Sequence, residues 1–449
     1  MTFEELKQDV VSGAIDTVLV CMVDMQGRLM GKRYHADFFV RHSHEKTHAC
    51  NYLLADDMEM LPVPGYSSAG WAQGYGDFLL KPDISTLRRL PWLEATALVI
   101  CDVFDERGKP IAHSPRQILQ KQVQRLTDRG MHACFASELE FYLFDEPYEA
   151  LASRKYDKPQ TFGRYNQDYH ILSTTRQESV MRPIRNGLHG AGITIECTKG
   201  EGAAGQGEIN VHYNDPLLMA DIHTIIKHGS KEIAAQHDKA ITYMAKWSSD
   251  LAGSSSHVHA SLWSMDGRSL FHGDLPNGMS EMMQQYLAGL LKYSEDITLF
   301  LAPNINSYKR FQTDTFAPTK VAWSHDNRTV GYRVCGQGSS AARVECRIGG
   351  ADLNPYLAFA GLIAAGLAGI DEQLDLPASF VGDAYRDTEL PEIPKTLREA
   401  IDASSNSIWL REAFGNDVVN HYVHAARWEQ SEYDRKVTDW ELVRGFERS

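Results

Sequence analysis

The chain has 449 residues, of which 43% are hydrophobic, so it can bury a large core as two domains or one large domain. Its 59 acidic and 45 basic residues give a formal charge of −14, which argues against broad binding to nucleic acid or to an anionic membrane. Composition therefore favours a globular protein that acts on small molecules.

The beginning of the chain is rich in strand patterns. Residues 17–35 predict two strands around an Asp-Met-Gln-Gly turn, and residues 95–104 predict another buried strand. The polar stretch at 105–110 predicts a linker. We therefore expect a small β-rich domain over residues 1–105 and a second domain over residues 106–449.

Beyond the linker, three helices are predicted to begin at a polar cap followed by proline. Their expected spans are 114–129, 215–246 and a stretch that begins at 354. Short alternating strands lie between them. The second domain is therefore predicted to be a helix-backed, mainly antiparallel sheet, which places the chain in the α+β class.

The cysteines and the N-terminal residues indicate the cellular compartment. Seven cysteines lie far apart without a CxxC pair, as free thiols do. The N-terminus begins with charged residues, and no stretch reaches about 18 apolar residues. We therefore expect a cytoplasmic protein.

Four predicted strands carry charge on one face only, a pattern that appears when alternate residues are assigned to opposite faces. Their segments are 137–141, 208–212, 257–262 and 343–348. The polar faces hold Glu138, Glu140, Glu208, Asn210, His212, His257, His259, Ser261, Arg343, Glu345 and Arg347. Each face alone fits the solvent side of a half-buried strand. The four together favour faces that converge on one site.

Neighbouring glutamates on one strand repel each other and raise each other's pKa unless a cation lies between them. Carboxylates with few imidazoles suit Mg²⁺ or Mn²⁺, whereas zinc would recruit more histidine or cysteine. Nearby arginines indicate a phosphate ligand, because the guanidinium fork matches phosphate oxygens.

Neither of two common phosphate-binding motifs explains these arginines. Residues 200–205 fit GxGxxG, but a strand pattern follows where a dinucleotide site needs a helix. The sequence contains no GxxxxGK[ST] loop. ATP, if bound, would therefore be held through metals and arginines.

These segments resemble the glutamine synthetase family across nearly the whole chain. The matching segments are SELEF (137–141), ECTKGEGAAGQGE (196–208), GSSSHVHASL (253–262), NSYKR (306–310), NRTVGYR (327–333), ARVECR (342–347), NPYLAFAGLIAAGL (354–367) and VTDWE (437–441). The resemblance implies a small N-terminal β-grasp-like domain and a catalytic domain with a curved antiparallel sheet backed by helices. It also implies a dodecamer of two hexameric rings with two-metal sites between subunits.

The resemblance implies specific site residues. The implied metal ligands are Glu140, Glu201 and Glu208 for the metal on the acid's γ-carboxylate, and Glu138, His257 and Glu345 for the metal on the ATP phosphates. The residues implied for the nucleotide are Glu196, Tyr213, His259, Ser261, Arg333 and Arg343. Tyr213 takes the place of an aromatic that packs on adenine, although its position fits a core residue equally well.

Glutamate is the acid that the resemblance implies. Arg310 resembles the arginine that binds its α-carboxylate, and Gly253 resembles the glycine of the glutamate loop. The arginines that resemble those neutralising the transferring phosphoryl group are Arg328, Arg333, Arg343 and Arg347. Of these, Arg328 and Arg347 are expected to be catalytic, and Arg347 and Glu140 are also expected to contact substrate.

The acceptor site departs from the family pattern. Phe316 stands where glutamine synthetases have a flap glutamate that takes a proton from ammonium, and Pro64 stands where they have an ammonium-binding aspartate. Desolvated ammonium needs oxygen ligands, so this exchange favours an alkyl or aryl amine. Asp77 resembles an aspartate that reaches the neighbouring subunit's site, where it would contact the amine.

The chain is thus identified as similar to γ-glutamyl-amine ligases, which join glutamate to a small organic amine, with a monoamine as first choice. Two alternatives stay open: an ordinary glutamine synthetase that uses ammonia, and a non-catalytic structural or sensor protein on the same fold. The six metal-ligand matches argue against the latter, because unmetallated buried carboxylates only destabilise. Residues 383–386 are only loosely similar to the family's adenylylation segment, so that regulation is not expected.

Overall fold

A computed structural model describes residues 1–275 and 278–449. Helix α1 (Phe3–Ser12) begins the chain, with a capping box between Thr2 and Glu5. The first sheet follows and contains β1 (Thr17–Val23), β2 (Leu29–His35), β3 (Thr47–Cys50), β4 (Asp77–Arg89) and β5 (Thr96–Phe104), with the short helix α2 (Ala36–Phe38) after β2. Its strand order is β2-β1-β5-β4-β3, and only the β1–β5 pair is parallel in this sheet. The strands predicted at 17–35 and 95–104 are confirmed.

The second sheet supplies the polar strands. It contains β6 (Met131–Phe144), β7 (Ile195–Gly200), β8 (Gln206–Val211), β9 (Ala240–Thr242), β10 (Ser256–Ser264), β11 (Trp323–His325), β12 (Tyr332–Cys335) and β13 (Arg343–Cys346). The order is β11-β12-β13-β10-β6-β8-β7, with β9 paired to β6. Its described pairs are antiparallel apart from β11–β12. The mainly antiparallel sheet is therefore confirmed.

Helices cover this sheet. They are α3 (Pro115–Thr127), α4 (Tyr148–Ser153), α5 (Ile171–Thr175), α6 (Glu178–Gly190), α7 (Pro216–Gln236), α8 (Glu281–Lys292), α9 (Ser294–Leu301), α10 (Ile305–Tyr308), α11 (Pro355–Asp371), α12 (Leu397–Asn406), α13 (Ile408–Phe414), α14 (Asn416–Asp434) and α15 (Asp439–Gly445). Helix α11 is almost wholly buried and packs against α8, α3, α9 and α7. None of the helices in the described part of the chain has the length and apolar character needed to span a bilayer.

The predicted helix starts are confirmed, but one predicted end is wrong. Asp215 and Asn354 accept hydrogen bonds from the first turns of α7 and α11. Helix α7 ends at Gln236, about three helical turns before the predicted residue 246. Asp238 has a positive φ of 56°, and the chain then pairs as β9 with β6. Strand pairing therefore overrides a sequence that reads as continuous helix.

A buried ion network joins the first sheet to the helices. The Arg116 guanidinium on α3 contacts Asp83 on β4 at 2.7 Å, Asp102 on β5, and Asp221 on α7 at 3.1 Å. Tyr356 on α11 donates to Asp221 at 2.5 Å.

All seven cysteines are free thiols, as expected. The predicted boundary near residue 106 lies between β5 and α3 and stays a prediction.

Candidate active site

The predicted polar faces converge, because β8, β6, β10 and β13 are consecutive neighbours in the second sheet. Glu140 lies opposite Glu208, Glu138 opposite His257, and His259 opposite Glu345. Strands β8 and β13 end at Val211 and Cys346, so His212 and Arg347 lie one residue beyond them. The four faces form one site rather than four separate solvent faces.

Glu140, Glu201 and Glu208 form the first acidic cluster, in which each residue offers an oxygen within 4.8 Å of the others. Ser255 fixes Glu140, donating from its backbone nitrogen at 2.7 Å and its hydroxyl at 2.5 Å. Burial and the nearby Glu201 raise the pKa of Glu140 to about 7. Burial and Glu140 raise the pKa of Glu208 to about 8. Ionisation of Glu140 and Glu208 is therefore disfavoured by burial and by the neighbouring carboxylates.

Lys199 supplies one cation to the first acidic cluster, and the sequence analysis did not select it. Its ammonium contacts Glu201, lies 3.5 Å from Asp168 and stands 4.3 Å from the centre of the Tyr169 ring. Lys199 is partly buried in β7, two residues before Glu201, and lies within the quoted ECTKGEGAAGQGE segment. Two further missed residues are Gln206, which donates to Glu140 at 3.2 Å, and Ser255, which lies within the quoted GSSSHVHASL segment.

The second acidic cluster contains Glu138, His259 and Glu345, again with one ligand atom from each within 4.8 Å. His257 is the predicted ligand of this cluster, and both imidazoles reach it. His259 Nε2 lies 2.8 Å from Glu138, while His257 Nδ1 lies 3.2 Å from Glu138 and 3.5 Å from Glu345. The choice of His257 as ligand and His259 as nucleotide contact therefore stays a prediction.

The second cluster is strongly ionised. Burial opposes ionisation of Glu138, but hydrogen bonds from His257 and His259 hold its pKa well below its usual range. Burial likewise opposes ionisation of Glu345, but His257 and Arg347 hold its pKa at about 2. Burial and Arg347 lower the pKa of His257 to about 4. A neutral imidazole beside two carboxylates is a suitable ligand set for a hard divalent cation.

The donor sets of both clusters fit divalent metals. Carboxylate oxygens dominate, and buried like charges repel in the first cluster until a cation neutralises them. Zinc would usually be bound by more histidine or cysteine than these clusters offer. The residues present therefore fit Mg²⁺ or Mn²⁺.

Three of the four predicted arginines surround the second cluster. Arg347 is buried and donates to Glu345 at 2.6 Å, and its Nε has no hydrogen-bond partner among the described residues. Arg333 donates to Glu345 at 2.9 Å, and Arg343 donates to Nδ1 of His259 at 3.2 Å. Arg328 is exposed and forms no described hydrogen bond or ion pair. The first three contact residues of the second cluster, and the fourth lies outside this group. Their roles toward phosphate stay predictions.

Arg310 and Gly253, which the resemblance implies for glutamate binding, lie together. A Cβ added to Gly253 would stand 2.8 Å from Cγ of Arg310 and 2.6 Å from the Ala245 carbonyl, so only glycine fits. The Arg310 guanidinium is buried and donates to the carbonyls of Ile348 at 2.8 Å and Arg347 at 2.9 Å. Its two terminal nitrogens thus already donate hydrogen bonds to backbone carbonyls. The role of Arg310 toward glutamate stays a prediction.

The predicted nucleotide residues lie along the edges of the site. Glu196 accepts from His212 at 3.0 Å, and the Tyr213 ring packs on His212 with centroids 4.3 Å apart. Half of Tyr213 is exposed, which rules out the core alternative. Ser261 accepts from the Trp263 indole at 2.9 Å. Their role in binding ATP stays a prediction.

The three acceptor positions are dispersed in the single chain. Phe316 has a positive φ of 60°, exposes 67% of its surface, and its carbonyl accepts from Arg347 at 3.3 Å. The Pro64 carbonyl accepts from His424 at 2.9 Å, and Asp77 begins β4 opposite Cys50. In the described part of the chain, neither Pro64 nor Asp77 bonds to the acidic clusters. The roles of Pro64 and Asp77 toward the amine, including the reach of Asp77 into a neighbouring subunit's site, stay predictions.

Comparisons with known proteins give a consistent result. Residues 112–444 match the family "Glutamine synthetase, catalytic domain". The chain is 48% identical over 446 residues to the gamma-glutamylethanolamide synthetase GlnA4 of Streptomyces coelicolor, covering 99% of this chain and 96% of that protein. It is 36% identical to the glutamate–isopropylamine ligase of a Pseudomonas species, covering 96% and 95%. A solved structure of a GmaS/ADP complex superposes with a TM-score of 0.86 at 26% identity, covering 98% and 99%.

Proposed function

Because this chain belongs to the glutamine synthetase family, we propose that it is an ATP-dependent carboxylate–amine ligase that joins glutamate to a small organic amine through γ-glutamyl phosphate. Two relatives named above make γ-glutamylethanolamide or ligate glutamate to isopropylamine. The proposal rests on the position of Phe316. This exposed aromatic residue accepts a hydrogen bond at its backbone carbonyl from Arg347, which also contacts the second acidic cluster.

The acceptor is a monoamine. Phe316 and Pro64 offer no side-chain oxygen to a desolvated ammonium ion, whereas an aromatic ring can pack against an alkyl substituent. A polyamine would bring a second cation and require further acidic lining. Ethanolamine and isopropylamine, the substrates in the names of the two relatives, are both monoamines.

Two or more Mg²⁺ or Mn²⁺ ions fit the site. The residues that would hold them are Glu140, Glu201 and Glu208 in the first acidic cluster, and Glu138, Glu345 and the two adjacent histidines, His257 and His259, in the second. When bound, such ions neutralise carboxylate and phosphate oxygens and act as Lewis acids. ATP is the phosphoryl donor, in keeping with the nucleotide in the GmaS/ADP complex.

The chain's own residues orient the reaction. Arg310 and Gly253 position glutamate so that its γ-carboxylate attacks the γ-phosphorus of ATP and ADP leaves. Arg333, Arg343 and Arg347 neutralise the charge on the transferring phosphoryl group, which is the main protein contribution to such reactions. The amine nitrogen then attacks the γ-carbonyl carbon, the bond from carbon to the phosphate oxygen breaks, phosphate leaves, and the nitrogen releases one proton. We assign Arg328 to the same role, for which its exposed loop would have to move toward the phosphoryl group.

The complete site requires more than one subunit. We assign residues 1–105 to an N-terminal β-grasp-like domain and residues 106–449 to the catalytic domain. Asp77 and Pro64 from the first domain would enter the site of a neighbour, which fits a dodecamer of two hexameric rings. The enzyme works in the cytoplasm, where ATP and glutamate are supplied.

Phosphate release tests this function. Purified protein would be assayed with ATP, Mg²⁺ or Mn²⁺ and glutamate against ammonia, methylamine, ethylamine, isopropylamine, ethanolamine, aniline and putrescine. We expect strong release with one or more organic monoamines and little with ammonia. Comparable release with ammonia would overturn the role of Phe316 and Pro64, and no release with any amine would overturn the ligase assignment.

A further inference from the structure

The segment that carries Phe316 is held in a strained conformation. We call residues 311–318 the acceptor flap. Within it, Asp314 has a φ of 63° and Phe316 a φ of 60°. Aspartate enters this left-handed region at modest cost, but a bulky residue such as phenylalanine rarely does. Strained residues of this kind persist only where surrounding contacts fix them, and they concentrate at functional sites.

A second segment supplies such contacts. We call residues 382–387 the anchor segment. The Tyr385 hydroxyl donates to the Ala317 carbonyl at 3.0 Å. The Arg386 guanidinium donates to both carboxylate oxygens of Asp314, at 2.8 Å and 2.9 Å. Two consecutive residues of the anchor segment, Tyr385 and Arg386, thus form hydrogen bonds to the flap on both sides of Phe316.

The anchor segment is itself fixed to the loop that bears Arg328. Asn327 donates to the Gly382 carbonyl at 2.8 Å, and the backbone nitrogen of Ala384 donates to the Thr329 hydroxyl at 3.1 Å. Ala384 is fully buried against Ala322 and Val330. The anchor segment therefore joins the acceptor flap to the Arg328 loop.

Tyr385 is suited to this contact. It is half-buried, and burial raises the pKa of its hydroxyl to about 12, so it stays a neutral donor at working pH. The exposed Arg386–Asp314 pair is weak as a source of stability, because exposed ion pairs contribute little. A single Arg386 nitrogen contacts both Asp314 oxygens, so the pair ties the flap to the anchor segment at one point.

We propose that Tyr385 and Arg386 are positioning residues that hold the acceptor flap closed over the acyl phosphate, so that the amine, not water, attacks its carbonyl carbon. This catalytic consequence rests on the proposed function. Attack by the amine forms a C–N bond, expels phosphate and releases one proton from nitrogen. Attack by water in an open site returns glutamate and phosphate, and ATP is then consumed without amide formation.

The test uses Tyr385→Phe and Arg386→Gln in the full-length protein. The first readout is the amount of γ-glutamylamide formed per ADP released, and the second is hydrogen–deuterium exchange of residues 311–318. We expect the amide yield per ADP to fall at least threefold and flap exchange to rise at least fivefold, with the KM for glutamate within twofold of wild type. Tyr148→Phe is the matched control, since it removes a hydroxyl that donates to the Ile241 carbonyl at 2.8 Å outside the flap.

A charge exchange separates positioning from loss of folding. Asp314→Arg and Arg386→Asp should each reproduce the defect, and the double variant should recover at least half of the amide yield per ADP. Unchanged amide yield and unchanged flap exchange in Tyr385→Phe and Arg386→Gln would overturn the proposal, as would increased exchange with unchanged yield. If wild-type protein makes no γ-glutamylamide with any amine, the proposed function fails, and unchanged flap exchange would then reject the flap contacts independently.

Discussion

Glu140 and Glu208 lie directly opposite each other on the antiparallel strands β6 and β8, and both carboxyl groups are buried. Burial and the nearby Glu201 raise the pKa of Glu140 to about 7, and burial and Glu140 raise that of Glu208 to about 8. Such a pair lowers stability unless a cation neutralises it. The arrangement therefore favours the binding of a cation, and it lowers the stability of the protein when no cation is bound.

Glu208→Gln should remove metal binding at the first acidic cluster and reduce activity on the order of 100-fold or more. The melting temperature in EDTA should stay the same or rise, because one of two repelling carboxyl groups is gone. Titration calorimetry with Mn²⁺ and thermal melting in EDTA measure the two effects. Glu106→Gln, at an exposed acid outside the site, is the control. Unchanged Mn²⁺ stoichiometry in Glu208→Gln would contradict this account.

Phe316→Glu should shift acceptor preference toward ammonia. The new carboxylate supplies the oxygen ligands and the base that the apolar side chain lacks. We expect the ratio of kcat/KM for ammonia to that for the best monoamine to rise about tenfold or more, which corresponds to about 1.4 kcal/mol. Phe316→Leu, which stays apolar, should keep the wild-type preference. The prediction fails if both variants prefer the monoamine to the same degree.

Arg116→Met should destabilise the fold strongly. It leaves Asp83, Asp102 and Asp221 without the guanidinium that they share, and Asp221 is only 1% exposed. Removing one partner of a buried ionic network costs about 3–5 kcal/mol. Urea unfolding at one protein concentration measures the loss. Arg107→Met, at an exposed turn, should change stability by less than about 0.5 kcal/mol, and an equal loss in both variants would refute the role of the network.

Stability should fall as pH decreases below about 6.5 because of two stacked histidines. The His113 and His421 rings stack with centroids 4.0 Å apart, and His421 donates to the Leu54 carbonyl at 2.7 Å. Burial lowers the pKa of His113 to about 4 and that of His421 well below its ordinary value. Both folded-state pKa values lie below the unfolded value, so the unfolded chain takes up protons first and folding is disfavoured as pH falls.

The expected loss between pH 7.5 and pH 5.5 is about 1 kcal/mol for each histidine. Urea midpoints at the two pH values measure it. His113→Phe keeps the stacking but cannot titrate, so it should lose less stability over this range than wild type. His189→Gln, at an exposed helix position, should behave like wild type. An identical pH dependence in all three proteins would exclude the histidine pair as the cause.

The polar strand faces could be predicted because side chains alternate with a period of two, which assigns Glu138 and Glu140 to one face without any knowledge of tertiary structure. The pairing of β6 with β8 and β10 then brings these faces together. The helix end at Gln236 could not be predicted, because it is decided by pairing of β9 with β6.

Contacts between segments that lie far apart in the sequence could not be predicted either. Tyr385 and Ala317 lie 68 residues apart, and their hydrogen bond depends on how two loops approach. The same is true of Pro64 and His424. By contrast, Glu201 and Lys199 are two residues apart, but a lysine near a glutamate is too common to indicate a site.

Direct competition between acceptors tests the central claim most directly. Wild-type protein would be incubated with ATP, Mg²⁺, glutamate and equal concentrations of ammonium, ethanolamine and isopropylamine, and the amides would be quantified by mass spectrometry. The account predicts at least ten times more of one γ-glutamyl monoamide than of glutamine. Glutamine as the main product would contradict it and would identify the protein as an ordinary glutamine synthetase.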